Sequence, residues 1–148
     1  MVHGYYDNKN SETAYDNDVA IATVSDVFEQ IPKHLLNPAS YEEDGSLKAE
    51  VATVLKEAYT KCCSQLEAQL GDKKFFNGDK PGIADFHVTS FVYASAFNKF
   101  AGPQGANNAA YKEIIASFPN LNKHQTETMA EECKEHLAAR FMGEEIPL

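Results

Sequence analysis

Apolar residues near the start of the chain recur at steps of three and four, which is the spacing of one face of an α-helix. This stripe predicts a helix from about Ser11 to about Leu36. Pro32 should kink or end that helix, because proline lacks the backbone N–H that the helical ladder uses. The stripe consists of Val19, Ala20, Thr23, Val24, Val27, Phe28 and Ile31. The turn-rich stretch "NPASYEEDGS" that follows predicts a loop.

A second stripe predicts a helix that ends at Leu70, because Gly71 suits the left-handed backbone that closes helices. Its members are Leu47, Val51, Val54, Leu55, Ala58, Cys62, Leu66 and Leu70. Neighbouring residues on a helix diverge by about 100°, so we expect one of Cys62 and Cys63 to be buried and the other partly exposed. Both are interpreted as unreactive, because no histidine can be placed beside them.

Polar positions are sparse from near Ile83 to about Phe100, which predicts the central helix of the domain. The irregular connection before it should turn Phe75 and Phe76 inward. A short helix is expected near 109–117, and a last one from about Pro119 to about Arg140, since proline suits a first helical turn. The segment "FHVTSFVY" could be a strand, but its setting favours helix. The chain is predicted to be one all-α domain over residues 1–148, a bundle of about five helices.

Composition narrows the function classes. The chain has 148 residues and a net charge of −9, which argues against nucleic-acid binding and against docking on anionic membranes. No apolar run approaches the ~20 residues of a membrane helix, so we expect no membrane insertion. Three cysteines without framework spacing indicate a reducing compartment, and we expect a cytoplasmic protein.

Asp85 is an acid inside an apolar run, and three roles are open to it. If Gly82 is the N-cap of the central helix, Asp85 is its third residue, and its carboxylate can accept the N-cap backbone N–H. A general acid and a metal ligand are the alternatives, and the capping role is favoured. Cys133 and His136 could face one metal, but no second pair completes a site of four ligands, so no metal is expected.

The segment "NGDKPGIADFHVTSFVY" resembles the G-D-x-x-[ST]-x-A-D motif in the helical C-terminal domain of cytosolic glutathione S-transferases, where it is the N-capping box of the central helix. Gly78, Asp79, Ala84 and Asp85 match the motif, whereas Gly82 stands where the family usually has Ser or Thr. The stretch that begins "GYYDNKNSETAYD" resembles the first helix of that domain, and "SFPNLNKHQ" resembles its FP-x-L segment. The mixture is most similar to sigma-like and related eukaryotic classes.

The resemblance implies a set of site residues. Asp26 aligns with an acid that reaches across the dimer interface toward the amino group of glutathione, the co-substrate. Lys33, Leu36 and Phe141 would line the pocket for the electrophile. The family's catalytic residue belongs to an N-terminal thioredoxin-like domain, so no catalytic residue is expected in this chain.

Three functional hypotheses follow from the resemblance. The chain could be the electrophile-binding and dimerisation domain of a glutathione S-transferase, which transfers glutathione to hydrophobic electrophiles when complete and is inactive alone. It could instead be a non-catalytic protein-interaction or assembly module, or a protein that keeps only the hydrophobic pocket. The expected partners are a second copy or a larger protein assembly, and a hydrophobic small molecule.

Overall fold

The computed structural model describes residues 10–98 and 107–139, and these residues are mostly helical. The all-α prediction is confirmed, because the described ranges contain two isolated bridges and no strand. The helices are α1 (Ser11–Leu35), α2 (Ala49–Leu70), α3 (Ile83–Val92), α4 (Asn108–Ala116), α5 (Pro119–Lys123), α6 (Met129–Glu132) and α7 (Lys134–Leu137). The predicted helices correspond to α1 to α4 and to one interrupted stretch from Pro119 to Leu137.

Local signals define both ends of α1. The side chain of Asn10 accepts the backbone N–H groups of Glu12 at 3.2 Å and Thr13 at 3.4 Å, so it caps the first turn. Pro32 lies in the last turn, and the Leu36 N–H donates to its carbonyl at 2.9 Å. The helix therefore ends within one turn of the proline, as predicted. A short 3₁₀ turn, Pro38–Ser40, follows it.

The end of α2 at Leu70 is also confirmed. Gly71 adopts a positive φ of 53°, which a glycine accommodates without strain, and its N–H donates to the Glu67 carbonyl at 2.9 Å. The connection to α3 then folds back onto the body of the domain. Phe75 and Phe76 are buried there, as expected.

The two adjacent cysteines of α2 are both buried, so the expectation that one would be partly exposed was wrong. Cys62 is 2% and Cys63 0% exposed. The reason is that α2 is covered over a wide arc, by α1 on one side and by α4 and α5 on the other. Burial raises the pKa of Cys62 to about 12 and raises the pKa of Cys63 as well, which agrees with unreactive thiols.

The central helix is α3, and its buried side chains meet those of α1 and α2 in one core. A π-helical turn, Tyr93–Phe97, continues it, and Asn98 is already extended. The helical backbone thus ends three residues before the predicted Phe100, which itself lies outside the described residues. In the part of the chain that the structure describes, no helix is long and apolar enough to cross a bilayer.

The last predicted helix is interrupted, so the expectation of one continuous helix was wrong. A π-helical turn, His124–Thr128, separates α5 from α6, and a non-helical Cys133 (φ −108°, ψ 13°) separates α6 from α7. The wider turn allows the neighbours His124 and Gln125 both to be buried. Arg140 and the tail "FMGEEIPL" lie outside the described residues.

The start of α5 is capped from another helix. The carboxylate of Glu67 in α2 accepts the backbone N–H groups of Asn120 at 3.1 Å and Leu121 at 2.6 Å. These are first-turn donors that have no partner within their own helix. The cap therefore depends on the docking of α2 against α5.

Candidate functional site

The start of α3 is closed by a buried carboxylate. Gly82, the N-cap, has an extended backbone, and its N–H donates to Asp85 Oδ2 at 2.7 Å. The Phe76 N–H donates to Asp85 Oδ1 at 2.9 Å, and the carboxylate has no exposed surface. Asp85 thus satisfies a first-turn donor of α3 and a donor of the preceding loop at once.

A residue of α1 takes the place of the hydroxyl that Gly82 lacks. The Ala84 N–H donates to Asn17 Oδ1 at 3.2 Å, and Asn17 Nδ2 donates in turn to the Thr13 carbonyl at 2.9 Å. A Cβ added at Gly82 would lie 1.9 Å from Asn77 Nδ2. A serine or threonine there would displace the Asn77 side chain. Glycine and Asn17 together therefore replace the usual hydroxyl cap.

His124 completes the network around Asp85, although sequence reasoning did not place it there. Its Nε2 lies 2.9 Å from Asp85 Oδ1, and its Nδ1 lies 2.8 Å from Gln125 Nε2. With the Gln125 amide in this orientation, Nδ1 accepts and Nε2 carries the proton that is donated to Asp85. The rings of Phe75 and Phe76 lie nearly perpendicular to the imidazole. The Asp85 carboxylate and the His124 imidazole are buried and bonded to protein groups, whereas Gln125 Oε1 has no partner. The geometry around Asp85 is that of a structural cap.

A metal has no evident place in this region. Within residues 10–98 and 107–139, no group of three or more histidine, cysteine or acidic residues could hold a metal ion. His124 faces Asp85, whereas the exposed His136 lies on α7.

An apolar cleft of about 120 Å³ lies between the second half of α1, the end of α3 and α4. Phe28 is 40% exposed at its edge and meets the ring of Phe91 edge-on, with 5.2 Å between ring centroids. The cleft is lined by Phe28, Ile31, Leu35, Phe91, Ala94, Ser95 and Tyr111. We call it the α1–α3–α4 cleft.

Tyr111, which lines the α1–α3–α4 cleft, has a hydroxyl that no other group engages. Its ring stacks on Tyr59 with centroids 4.2 Å apart, and its buried hydroxyl has no partner. Burial raises the pKa of Tyr111 to about 12, so the phenol stays protonated at neutral pH. The Ser95 hydroxyl, by contrast, is already engaged with Tyr59 Oη at 2.9 Å and with the Phe91 carbonyl at 2.7 Å.

Lys33 and Leu36, two of the three residues expected to bind the electrophile, do not line this cleft. Lys33 is exposed with its Nζ 4.0 Å from Glu29 Oε2, and Leu36 is 73% exposed. Their neighbour Leu35 lies in the cleft wall instead. Phe141 lies outside the described residues.

Asp26 lies apart from that cleft. It is exposed on α1 and lines a groove of about 350 Å³ between α1 and α2, together with Val54, Glu57 and Lys61 among others. The α1–α2 groove shares no lining residue with the α1–α3–α4 cleft. The structure therefore does not bring Asp26 together with Lys33 and Leu36.

These features define an all-α domain built around a buried central helix whose N-terminus is closed by an internal acid. The family model of the glutathione S-transferase, C-terminal domain, matches residues 59–128, from within α2 to the end of the π-helical turn after α5. Over these residues the chain is similar to the C-terminal domain family of the glutathione S-transferases, as the motifs predicted. Neither the curated proteins nor the solved structures that were searched gave a significant match.

Proposed function

We propose that the domain binds the hydrophobic electrophile of a cytoplasmic glutathione S-transferase, and that the α1–α3–α4 cleft is the binding site. The observation that carries this proposal is an apolar cleft with one unpaired, protonated donor, Tyr111. Ligand sites commonly combine apolar walls with a few placed polar groups. Phe28, Ile31 and Leu35 would supply the walls.

The chemistry proposed for the cleft is binding and polarisation. Glutathione and the residue that activates its thiolate would come from a thioredoxin-like domain, as the family resemblance implies. When the thiolate attacks, negative charge develops on an oxygen of the electrophile, such as a nitro or carbonyl oxygen. The Tyr111 hydroxyl would donate to that oxygen, and a donor placed where charge develops lowers the barrier.

Two neighbouring leucines provide a matched test of the binding site. Leu35 lines the cleft, whereas Leu36 is 73% exposed beside it. We expect Leu35→Gln to raise the Kd of the dye ANS about tenfold, which corresponds to ~1.4 kcal/mol. The affinity of chlorodinitrobenzene, measured by its displacement of the dye, should fall by the same factor. Leu36→Gln should leave both unchanged. If Leu36→Gln has the larger effect, the α1–α3–α4 cleft is not the site.

The activity of the isolated chain tests whether thiolate activation depends on another domain. We expect the chain, mixed with glutathione and chlorodinitrobenzene, to give no turnover above the uncatalysed rate, because thiolate activation is assigned to another domain. Conjugation well above that rate would overturn this assignment, even if the leucine variants behave as expected.

The α1–α2 groove supports a second candidate function, self-association or assembly with other proteins. Acidic Asp26 and Glu57 and basic Lys61 line it together, so two copies related by a twofold axis could pair opposite charges. Val54, 43% exposed, would lie at the contact. We expect a dimer in sedimentation equilibrium and a monomer for Val54→Glu, and a wild-type monomer would refute dimerisation.

Asp26 is further proposed to bind the ammonium group of glutathione across such a dimer. Its carboxylate is exposed and has the charge that this recognition needs. In a complete dimeric enzyme, Asp26→Asn should raise KM for glutathione and leave kcat unchanged. An unaltered KM would assign Asp26 to the solvated surface only.

A further inference from the structure

A second cavity, of about 350 Å³, opens between α3 and the α6–α7 segment. It shares no lining residue with the α1–α3–α4 cleft or with the α1–α2 groove. Its walls are mostly apolar, and its size is that of a small-molecule site. The lining residues are Phe86, Thr89, Ser90, Glu132, Cys133, His136 and Leu137. We call it the α3–α7 cavity.

Thr89 in this wall has a hydroxyl without a partner. The residue is 2% exposed, and its Oγ1 makes no hydrogen bond. Helical threonines usually donate to the carbonyl four residues earlier, and four others in this chain do so at 2.8 to 2.9 Å: Thr23, Thr53, Thr60 and Thr126. Thr89, which lines the cavity, differs from these four threonines. An unpaired buried hydroxyl costs free energy that a bound acceptor would recover.

The charges around the α3–α7 cavity restrict the ligand. Glu132 is exposed at its edge and disfavours an anion, while the apolar surface contributed by Phe86 and Leu137 disfavours a strongly hydrated cation. Desolvation by burial raises the pKa of the Cys133 thiol, and nearby Glu132 adds to that effect. The thiol therefore adds no charge at neutral pH.

We propose that the α3–α7 cavity binds a neutral, mostly apolar molecule that carries one carbonyl or ether oxygen, with the Thr89 hydroxyl as its hydrogen-bond donor. The apolar walls supply affinity and the hydroxyl supplies selectivity for the oxygen. This site is separate from the proposed electrophile site, and its existence does not depend on that proposal.

Two fluorescent probes test the proposal on the full chain. The first is propionyl-dimethylaminonaphthalene, which is neutral and has one carbonyl, and the second is dimethylaminonaphthalene, which lacks it. We expect the chain to bind the carbonyl probe about fivefold more tightly. Thr89→Val keeps the shape of the side chain and should abolish that preference. Thr53→Val, at an exposed threonine whose hydroxyl is paired, should retain it.

The stability of the free protein provides an independent readout. Thr89→Val should raise the Tm of the free chain, because it removes an unpaired hydroxyl, whereas Thr53→Val should not. Ser90→Phe, at an exposed edge position, should block the cavity and abolish binding of both probes. Protection of Cys133 from iodoacetamide by the carbonyl probe would place the probe in this cavity.

Three results would overturn the proposal. The first is that neither probe binds the unmodified chain. The second is that Thr89→Val leaves the carbonyl preference intact, and the third is that it lowers the Tm, which would mean that the hydroxyl is already paired. Each of these results leaves the test of Leu35 and Leu36 unaffected.

Discussion

Replacement of Asp85 by alanine would remove the acceptor that closes the start of α3. Three buried donors lose their partner: the Gly82 N–H at 2.7 Å, the Phe76 N–H at 2.9 Å and His124 Nε2 at 2.9 Å. Each unsatisfied buried donor costs about 1–3 kcal/mol. The three share one carboxylate and can relax together, so their costs are not additive. We expect a loss of about 3–5 kcal/mol, comparable to breaking a buried charged pair.

The assay is urea unfolding followed by circular dichroism at the helical band. A domain of this size is stable by about 5–15 kcal/mol, so the variant should unfold at a much lower urea concentration with an unchanged m-value. Asp72→Ala, at an exposed acid in the loop between α2 and α3, is the matched control and should change the free energy by no more than about 0.5 kcal/mol.

A conservative variant separates the hydrogen bonds from the charge. Asp85→Asn keeps one acceptor oxygen for Phe76 and His124 but places an NH₂ group against the Gly82 N–H, so we expect a loss of about 2 kcal/mol. His124→Leu combined with Asp85→Leu should lose less than the sum of the two single changes, because neither partner is left unpaired. If Asp85→Ala costs less than about 1 kcal/mol, the cap does not hold α3 in the way described.

Three further predictions concern Asn17, Cys133 and Cys62. Asn17→Ala leaves the Ala84 N–H without its acceptor and should lower the free energy of unfolding by about 1–2 kcal/mol, as measured by urea unfolding; no change would mean that Asn17 is not the cap. Iodoacetamide at pH 8 should modify half-buried Cys133 well before Cys62, as peptide mass spectrometry can follow. Because burial raises the pKa of Cys62 from 9.0 to about 12, its contribution to stability is complete below pH 9 and is lost as the pH rises from 9 toward 12. Stability constant over that range would contradict the assigned burial.

The elements that sequence reasoning located well are those whose signals are local. The start of α1 at Ser11 and the end of α2 at Leu70 depend on Asn10 and Gly71, which are adjacent in the chain. Helical periodicity and capping chemistry act within a few residues, so a single sequence contains them. The position of Asp85 as third residue of its helix follows from the same local chemistry.

The contacts that sequence reasoning missed join residues that are far apart in the sequence. His124 is separated from Asp85 by 39 positions, and Asn17 from Ala84 by 67. One signal was present: Asn17 precedes Ala20 by three and Val24 by seven, so it occupies a position on the buried stripe of α1, where an unpartnered amide would be costly. Nothing comparable marks the break at Cys133, because no proline or glycine lies nearby.

The residues that the resemblance implied for the electrophile illustrate the limit of transferring positions along a helix. The second half of α1 was the predicted region, and the α1–α3–α4 cleft, which is the site proposed above, lies there. Leu35 and Leu36 nevertheless differ by one position, which on a helix is a rotation of about 100°. Only the packing of α3 and α4 decides which of the two faces the cleft.

The caps that α3 and α5 receive from other helices affect how the chain can acquire its structure. Asn17 serves α3 from α1, and Glu67 serves α5 from α2. A peptide containing only the residues of α5 therefore lacks its capping carboxylate, and one containing only those of α3 keeps Asp85 but lacks the Asn17 acceptor. Short helices are marginal in water in any case. Helix formation and tertiary packing must therefore occur together. Proteolytic cleavage in the loop between α2 and α3 should yield two fragments that are each largely unstructured until they recombine.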